Sequence, residues 1–286
     1  MLSAPLRAAT YNLLDGGGDR LEGQLGMLED LALDLLCLQE ATGWDDNGFD
    51  LMLHAASRLG MRAEFAPSRA GFPLVTLYRP SRLKLVGYNA DLSRGTFFHA
   101  AALLTFTSDS FETIEVAHAH LDHSCPQARM REVARLTPYA EKGWGRGRLS
   151  HRYALCLGDM GMTGIGDDQH ARIWSIIPPH RHARFRLMRE DGTYAGMDER
   201  AMAALLHAGF VDPPARLGMK APRTAGYWIK QQTGRCEETD HRTDHILLSP
   251  DLAGALETCT VIDNETTQQL SKHLPVVVTL DPARLR

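Results

Sequence analysis

The sequence has no long hydrophobic run and no signal-peptide pattern. The apolar stretch at residues 28–39 is interrupted by three acidic residues, whereas a membrane-spanning helix needs roughly 18 or more apolar residues in succession. The first residues lack the charged segment and apolar core of a secretory signal. We therefore expect a cytoplasmic protein with no membrane partner.

The sequence also lacks the paired cysteines of a disulfide-stabilised protein. Its five cysteines are Cys37, Cys125, Cys156, Cys236 and Cys259. None of them forms a C-x-x-C motif, and Cys37 and Cys156 lie within apolar runs. An odd number of cysteines in this arrangement predicts reduced, mostly buried thiols, which agrees with a cytoplasmic location.

Basic residues are not in excess. The chain has 31 lysines and arginines against 35 acidic residues, a formal net charge of −4. A protein that coats nucleic acid needs a positive surplus to neutralise phosphates. A small phosphorylated molecule is therefore favoured as the partner, while nucleic acid stays open and the oligomeric state is not indicated.

Glycine and proline, with 25 and 14 residues among 286, are too few for a disordered chain. Helical patterns instead alternate with short apolar strands, which predicts a single α/β domain over residues 1–286. The predicted strands are 6–12, 34–39, 73–78, 83–88, 99–106, 111–119, 152–157, 242–248, a segment near 258–262 and 274–280. The predicted helices are 22–33, 48–59, 126–141 and 198–208, and residues 160–197 show the least pattern.

Polar residues stand at the ends of several of these strands. Asn12 closes the first strand, Glu40 follows the second, and Asp159 follows a buried run. A buried polar group is costly unless it is paired or binds a metal, and strand ends meet at one edge of a sheet. The pattern predicts metal-assisted phosphoryl hydrolysis, with Glu40 as a Mg²⁺ ligand, Asp159 aligning water, and His273 oriented by Asp244.

Six short motifs occur in one order along the chain. They are YN at 11–12, LQE at 38–40, HLDH at 120–123 with Arg129 downstream, GD at 158–159, R-x-D-x-I at 242–246 and S-x-H-L-P-V at 271–276. In this order they resemble the endonuclease/exonuclease/phosphatase superfamily from about residue 6 to residue 280. The resemblance implies a four-layered α/β/β/α sandwich of two packed mixed β-sheets flanked by helices. It also implies hydrolysis of phosphate esters that depends on Mg²⁺, with Mn²⁺ as the alternative.

The resemblance implies a role for each matching residue. The implied catalytic residues are His120, Asp159, Asp244 and His273, the implied metal ligands are Glu40 and Asn12, and the implied substrate contacts are Asn12 and Lys272. In these roles His120 contacts the phosphate, Asp159 orients or activates water, and Asp244 pairs with His273.

Two positions depart from the superfamily pattern. Gly161 stands where the G-D-x-N motif has asparagine, and Lys272 stands where the S-D-H motif has aspartate. An ammonium in place of a carboxylate changes the local charge by two units, so we expect weakened metal binding. The alternative is a repurposed enzyme on the same scaffold with non-hydrolytic or non-phosphate chemistry. We expect Lys272→Asp to tighten Mg²⁺ binding, and its combination with Gly161→Asn to raise phosphodiester cleavage.

A second motif, H-x-H-x-D-H, comprises His118, His120, Asp122 and His123. It resembles the zinc signature of metallo-β-lactamase-like hydrolases, because imidazole and carboxylate groups at this spacing bind Zn²⁺. A zinc hydrolase is the less favoured interpretation, since it leaves the LQE, R-x-D-x-I and S-x-H-L-P motifs unexplained.

Residues 180–189, HRHARFRLMR, contain four arginines and two histidines. One interpretation is a solvated basic strand or loop. The other is a local contact with phosphate or another anion, which arginine binds through its planar guanidinium. The sequence leaves both interpretations open.

Overall fold

The computed structural model describes most of the chain. The described residues are 4–92, 95–109, 111–141, 143–145, 148–150, 153–167, 174, 177–226 and 240–285, so Cys236 lies outside them. Among these residues no helix is long and apolar enough to cross a membrane. Cys37, Cys125, Cys156 and Cys259 are free thiols, as predicted.

The elements alternate along the chain. The strands are β1 (Leu6–Asn12), β2 (Leu35–Gln39), β3 (Arg62–Ala66), β4 (Leu74–Tyr78), β5 (Lys84–Asn89), β6 (Ala100–Thr107), β7 (Ile114–His120), β8 (Gly143–Gly145), β9 (Arg148–Ser150), β10 (Tyr153–Asp159), β11 (Arg186–Met188), β12 (Tyr194–Met197), β13 (Asp244–Leu248), β14 (Leu256–Val261) and β15 (Val276–Leu280). The helices are α1 (Leu21–Glu29), α2 (Asp50–Leu59), α3 (Pro126–Leu136), α4 (Pro179–Phe185), α5 (Arg200–His207), α6 (Pro213–Arg216) and α7 (Glu265–Leu270).

Two large mixed sheets form the centre of the fold. The first has six strands in the order β14-β15-β1-β2-β4-β3, and the second has five in the order β13-β10-β7-β6-β5. β1 and β2 are parallel in the first sheet, as are β7 and β10 in the second. β15 and β13 run antiparallel to β1 and β10 respectively. In each sheet, therefore, two parallel strands end at the same edge where an antiparallel strand begins.

The apolar side chains divide into three layers of core. Leu35 and Cys37 of β2 pack between the two sheets, whereas Leu36 and Leu38 of the same strand pack against α1 and α2. A strand buried on both faces in this way is a continuous apolar run in sequence. On the far side of the second sheet, α3 and α5 cover a third cluster. The predicted four-layered α/β/β/α sandwich is thereby confirmed, whereas the single domain stays a prediction.

Local sequence explains where two helices begin and end. Pro126 occupies the first turn of α3, where a missing amide costs nothing. The helix predicted over 126–141 ends earlier, at Leu136, and continues only as a 3₁₀ turn that contains Pro138. α2 ends at Leu59 and is followed by Gly60, whose φ of 63° suits glycine and whose amide donates to the carbonyls of the last turn.

The least patterned stretch, 160–197, contains α4, β11 and β12. These elements are short and only partly buried, so they carry no clear period. The sequence pattern also does not predict the edge strand β3. Most of its side chains are exposed or half-buried, so the strand lacks the apolar run of a buried strand.

Candidate active site

The strand ends of both sheets meet at one edge of the sandwich. Asn12 is the last residue of β1, and Glu40 directly follows the parallel strand β2. In the second sheet, His120 and Asp159 end the parallel strands β7 and β10. Asp244 begins β13 and lies opposite Asp159 in the ladder. The topology therefore brings together residues that are more than 200 positions apart in the chain.

Asp159 lies at the centre of this group. Its Oδ1 accepts hydrogen bonds from the Thr243 hydroxyl at 2.8 Å and the Gly161 amide at 3.0 Å. Its Oδ2 lies 3.6 Å from Nε2 of His120 and 3.8 Å from Nε2 of His273. Burial alone would raise the pKa of Asp159, but the two imidazoles and the hydrogen bonds hold it below the usual range of an aspartate. The Asp159 carboxylate is therefore ionised at neutral pH.

Asn12 joins the two sheets at this edge. Its Nδ2 donates to Glu40 Oε1 and to Asp159 Oδ2, each at 3.0 Å, while its Oδ1 accepts the amide of Leu14 at 2.9 Å. Asn12 thus faces both carboxylates with its amide nitrogen and fixes their separation. Its roles as a metal ligand and substrate contact stay predictions.

Glu40 is oriented by the loop that follows β1. Its Oε2 accepts the amide of Asp15 at 2.9 Å, and its carbonyl accepts the amide of Gly16 at 2.7 Å. The φ of Glu40 is 55°, in the left-handed region that residues other than glycine seldom adopt. This conformation turns the chain at the end of β2 and leaves the carboxylate half-buried at the cavity.

His273 at the cavity forms an ion pair with Asp244, which lies behind it. His273 Nδ1 lies 3.0 Å from Asp244 Oδ2, and the same oxygen accepts the Thr224 hydroxyl at 2.8 Å. Burial opposes protonation of His273, but the carboxylates of Asp244 and Asp159 raise its pKa to about 10. Burial raises the pKa of Asp244 to about 6, against the imidazolium and the hydroxyl. At neutral pH, therefore, the pair is an imidazolium and a carboxylate.

A cavity of about 290 Å³ opens over these groups. Its lining includes Glu40, His120, Asp159, Lys272 and His273. The structure therefore brings these five predicted residues to one cavity, with Asn12 and Asp244 bonded directly behind it. The catalytic, ligand and substrate-contact roles assigned to all seven stay predictions.

The donor atoms of the site suit a divalent cation. One atom each of Asp159, Asp244 and His273 lies within 4.8 Å of the others. Because His273 is protonated at neutral pH, only the carboxylates of this group offer lone pairs to a metal. Glu40 adds a carboxylate that shares the Asn12 amide with Asp159. A cluster dominated by carboxylate oxygens is the type of site that hard cations such as Mg²⁺ prefer. The residues present therefore fit a divalent metal, whose identity they do not determine.

Aromatic and imidazole rings pack against the ring of His120. The ring of His99 stacks on that of His120 with centroids 3.9 Å apart, and Phe72 contacts both edge-on. His99 Nε2 also lies 3.1 Å from Nδ1 of His123. Burial lowers the pKa of His120 to about 4, so that it is neutral at pH 7 and can donate only one ring N–H to a phosphate. Sequence reasoning missed His99, because a lone histidine before an apolar strand carries no functional signal.

The proposed zinc motif does not assemble. His118 is buried between the sheets, with Nε2 2.7 Å from the Gln39 amide nitrogen and Nδ1 2.9 Å from the Thr76 hydroxyl. Asp122 Oδ1 accepts the amides of Ser124 and Cys125 before α3. Both side chains are therefore used inside the fold, and only His120 and His123 of the motif line the cavity.

His118 provides a test of this assignment. Burial lowers its pKa to about 3, so below pH 6.5 the unfolded chain binds a proton that the native chain does not. Stability contributed by neutral His118 is lost as the pH falls from 6.5 towards 3. We expect His118→Gln to reduce the pH slope of the unfolding free energy between pH 5 and 6.5 by up to about 1.4 kcal/mol per pH unit. Urea unfolding at several pH values measures this slope, and a zinc requirement abolished by His118→Gln would contradict the structural role.

Gly161 is constrained by its neighbours. Its φ is +56°, and a Cβ at this position would lie 2.9 Å from the Cα of His123. Asparagine tolerates the left-handed conformation, but the backbone of His123 leaves no room for its side chain. The structure therefore argues against a gain in phosphodiester cleavage from combining Gly161→Asn with Lys272→Asp, because the first change requires the His123 loop to move.

The sequence matches no protein-family model and no curated protein. Solved structures, in contrast, are similar over nearly the whole chain. An AP endonuclease from Archaeoglobus fulgidus has 19% identity and a TM-score of 0.64, over 96% of this chain and 99% of its own. An AP endonuclease from Leishmania major has 15% identity and a TM-score of 0.68, over 97% and 88%. A 3′ phosphatase from Neisseria, solved with a product DNA hairpin, has 18% identity and a TM-score of 0.67, over 96% and 99%.

These similarities define the class of fold. The chain has the endonuclease/exonuclease/phosphatase fold, and the resemblance inferred from its six motifs is confirmed at that level. At 15–19% identity the comparison extends to the architecture alone.

Proposed function

We propose that the protein is a divalent-metal-dependent hydrolase of phosphate esters. The observation that carries the proposal is the placement of ionised Asp159 at the cavity, hydrogen-bonded through Asn12 to Glu40 and flanked by His120 and His273. Hydrolysis of a phosphate ester requires an oriented water, neutralisation of the phosphate charge and protonation of the leaving group. The cavity contains a group suited to each of the first two requirements.

Each residue then has a defined task. The Asp159 carboxylate accepts a hydrogen bond from the attacking water and orients it. Its lowered pKa makes it a weak base, so it is better suited to orient the water than to take its proton. The neutral His120 ring donates one N–H to a phosphate oxygen. The His273 imidazolium, held by Asp244, opposes the negative charge that develops on the phosphate. Glu40 and Asp159 would hold the metal, which would supply Lewis-acid stabilisation of the same charge.

A small phosphorylated metabolite or nucleotide is the substrate class we favour over bulk nucleic acid. The support is the net charge of −4 and a cavity volume of about 290 Å³, close to the lower range of small-molecule sites. Mg²⁺ is the proposed cofactor, with Mn²⁺ as the alternative, and a cytoplasmic location is part of the proposal. Chemistry other than hydrolysis is not favoured, because the similar structures are nucleases and a phosphatase.

The test is a metal-reconstitution assay on the purified protein. After chelation, Mg²⁺, Mn²⁺ or Zn²⁺ is added back, and release of product is measured from p-nitrophenyl phosphate, bis-p-nitrophenyl phosphate, nucleoside monophosphates and DNA with an abasic site or a 3′-phosphate. We expect Mg²⁺ to restore hydrolysis, with small esters favoured over DNA. Hydrolysis restored by Zn²⁺ alone, or no hydrolysis of any phosphate ester, would contradict the proposal.

Lys272 gives a prediction about metal affinity. It lines the same cavity as Glu40 and Asp159, and a positive charge there opposes a divalent cation. We expect Lys272→Asp to tighten Mg²⁺ binding by about tenfold, because two units of charge at the edge of a partly buried site contribute on the order of 1–2 kcal/mol. Calorimetric titration of Mg²⁺ measures the change. Lys220→Asp, which makes the same charge change outside this cavity, is the control, and equal affinities in wild type and Lys272→Asp would show that Lys272 does not act on the metal.

A further inference from the structure

The basic stretch 180–189 lies partly over the active-site cavity. α4 carries Arg181 and Arg184 into the lining, on the side that also includes Phe185 and His241. Both arginine side chains are half-buried. Neither residue has a place in the proposed hydrolytic step, so their position needs a separate explanation.

The fold holds α4 in this place through a buried arginine of α3. Arg129 is 2% exposed, and its Nη1 donates to the carbonyl of Asp122 at 2.8 Å. Its Nη2 donates to the carbonyl of Arg184 at 3.1 Å. These bonds tie the backbone of Arg184 to the loop after His120, so the side chain of Arg184 starts from a fixed position at the cavity.

Three arginines elsewhere in the described part of the chain are neutralised by carboxylates, whereas Arg184 is not paired with any carboxylate of that part. Arg200 pairs with Asp198, Arg223 with Asp240 and Asp263, and Arg242 with Asp167 and Asp212. No carboxylate in the described part of the chain lies within ion-pair distance of the Arg184 guanidinium. The Arg184 guanidinium is therefore available to an anion that enters the cavity.

The charges around the cavity lead to the same conclusion. Its lining contains the carboxylates Glu40 and Asp159 against three cations, Arg181, Arg184 and Lys272. A scissile phosphate at His120 and His273 is already opposed by the His273 imidazolium. The arginines of α4 therefore form a positive region beyond the charge that one phosphate group requires.

We propose that Arg181 and Arg184 bind a second, non-scissile phosphate group of the substrate. Arginine suits this task because its guanidinium forms paired hydrogen bonds with phosphate oxygens. The inference rests on the proposed phosphoesterase function and narrows it to substrates with two phosphate groups. The second phosphate belongs to a small bisphosphorylated molecule or to a neighbouring nucleotide of a short oligonucleotide.

The experiment measures binding rather than turnover. Methylphosphonate and a series of alkane bisphosphonates with one to four carbons between the phosphorus atoms are titrated calorimetrically into the full chain, with and without Mg²⁺. A trithymidylate is titrated beside them to identify the source of the second phosphate. The variants are Arg184→Gln, Arg181→Gln and the conservative Arg184→Lys, with Arg189→Gln as a control from the same basic stretch outside the cavity. Thermal unfolding establishes that each variant is folded.

We expect at least one bisphosphonate, or the trithymidylate, to bind wild type at least tenfold more tightly than methylphosphonate. Arg184→Gln should remove most of this preference, Arg184→Lys should retain part of it, and Arg189→Gln should leave it unchanged. If the preference is absent, or survives both glutamine variants while methylphosphonate still binds, the second-phosphate site is wrong and the proposed function stands. If no phosphonate binds at all, both proposals fail.

Discussion

Replacing Asp159 with asparagine is expected to lower kcat/KM for phosphoester hydrolysis by about 10³-fold, within the range that positioned acid–base groups contribute. The substitution preserves the side-chain volume but removes the charge that faces His120 and His273. It also points an amide N–H₂ at the Asn12 amide, which now donates to Asp159 at 3.0 Å. The loss is measured with a small phosphomonoester at saturating Mg²⁺, beside thermal unfolding of the same preparation.

Thr243→Val is the matched control for this variant. It removes one hydrogen bond to Asp159 Oδ1, which is 2.8 Å long, but leaves the carboxylate charge in place. We expect a loss of less than about tenfold, as for a single hydrogen bond to a charged group. If Asp159→Asn is folded and remains as active as Thr243→Val, the central role of Asp159 in the proposed function is wrong.

Much of the candidate site could be predicted because it follows from strand topology. Asn12 and Glu40 end parallel neighbours, and so do His120 and Asp159. Such residues interrupt apolar runs in the sequence, and parallel strands bring their carboxyl ends to one edge. The two sheets pack through their apolar faces, which brings Asn12 of the first sheet within hydrogen-bond distance of Asp159 of the second.

Other parts of the site depend on contacts that the sequence does not reveal. His99 stacks on His120 because β6 and β7 pair with Ala100 opposite His120, and this register depends on the turn between the strands. Arg184 reaches the cavity through a bond from Arg129, which is 55 positions away. His118 and His120 share a face of β7, yet only the depth of packing between the sheets separates the buried histidine from the one at the cavity.

The interaction between Asp244 and His273 gives the second large prediction. Asp244→Asn is expected to reduce kcat/KM by at least about 10²-fold, because an uncharged partner no longer orients and stabilises the imidazolium. The amide occupies the same volume opposite Thr224 and His273 Nδ1, so the fold should be retained. Thr224→Val, which keeps the Asp244 carboxylate and removes one hydrogen bond to it, should cost less than about tenfold.

The pH profile distinguishes this role of Asp244 from a purely structural one. The carboxylates of Asp244 and Asp159 raise the pKa of His273 to about 10, so the imidazolium persists in wild type well above neutral pH. Without the Asp244 charge the pKa of His273 falls towards the ordinary value of an imidazole, about 6.5. If the protonated ring assists the reaction, the alkaline limb of kcat/KM must move to lower pH in Asp244→Asn and stay in place in Thr224→Val. A folded Asp244→Asn variant with full activity and an unmoved alkaline limb would remove the His273–Asp244 pair from the mechanism, because the charge that the geometry assigns to His273 would then have no effect on the reaction.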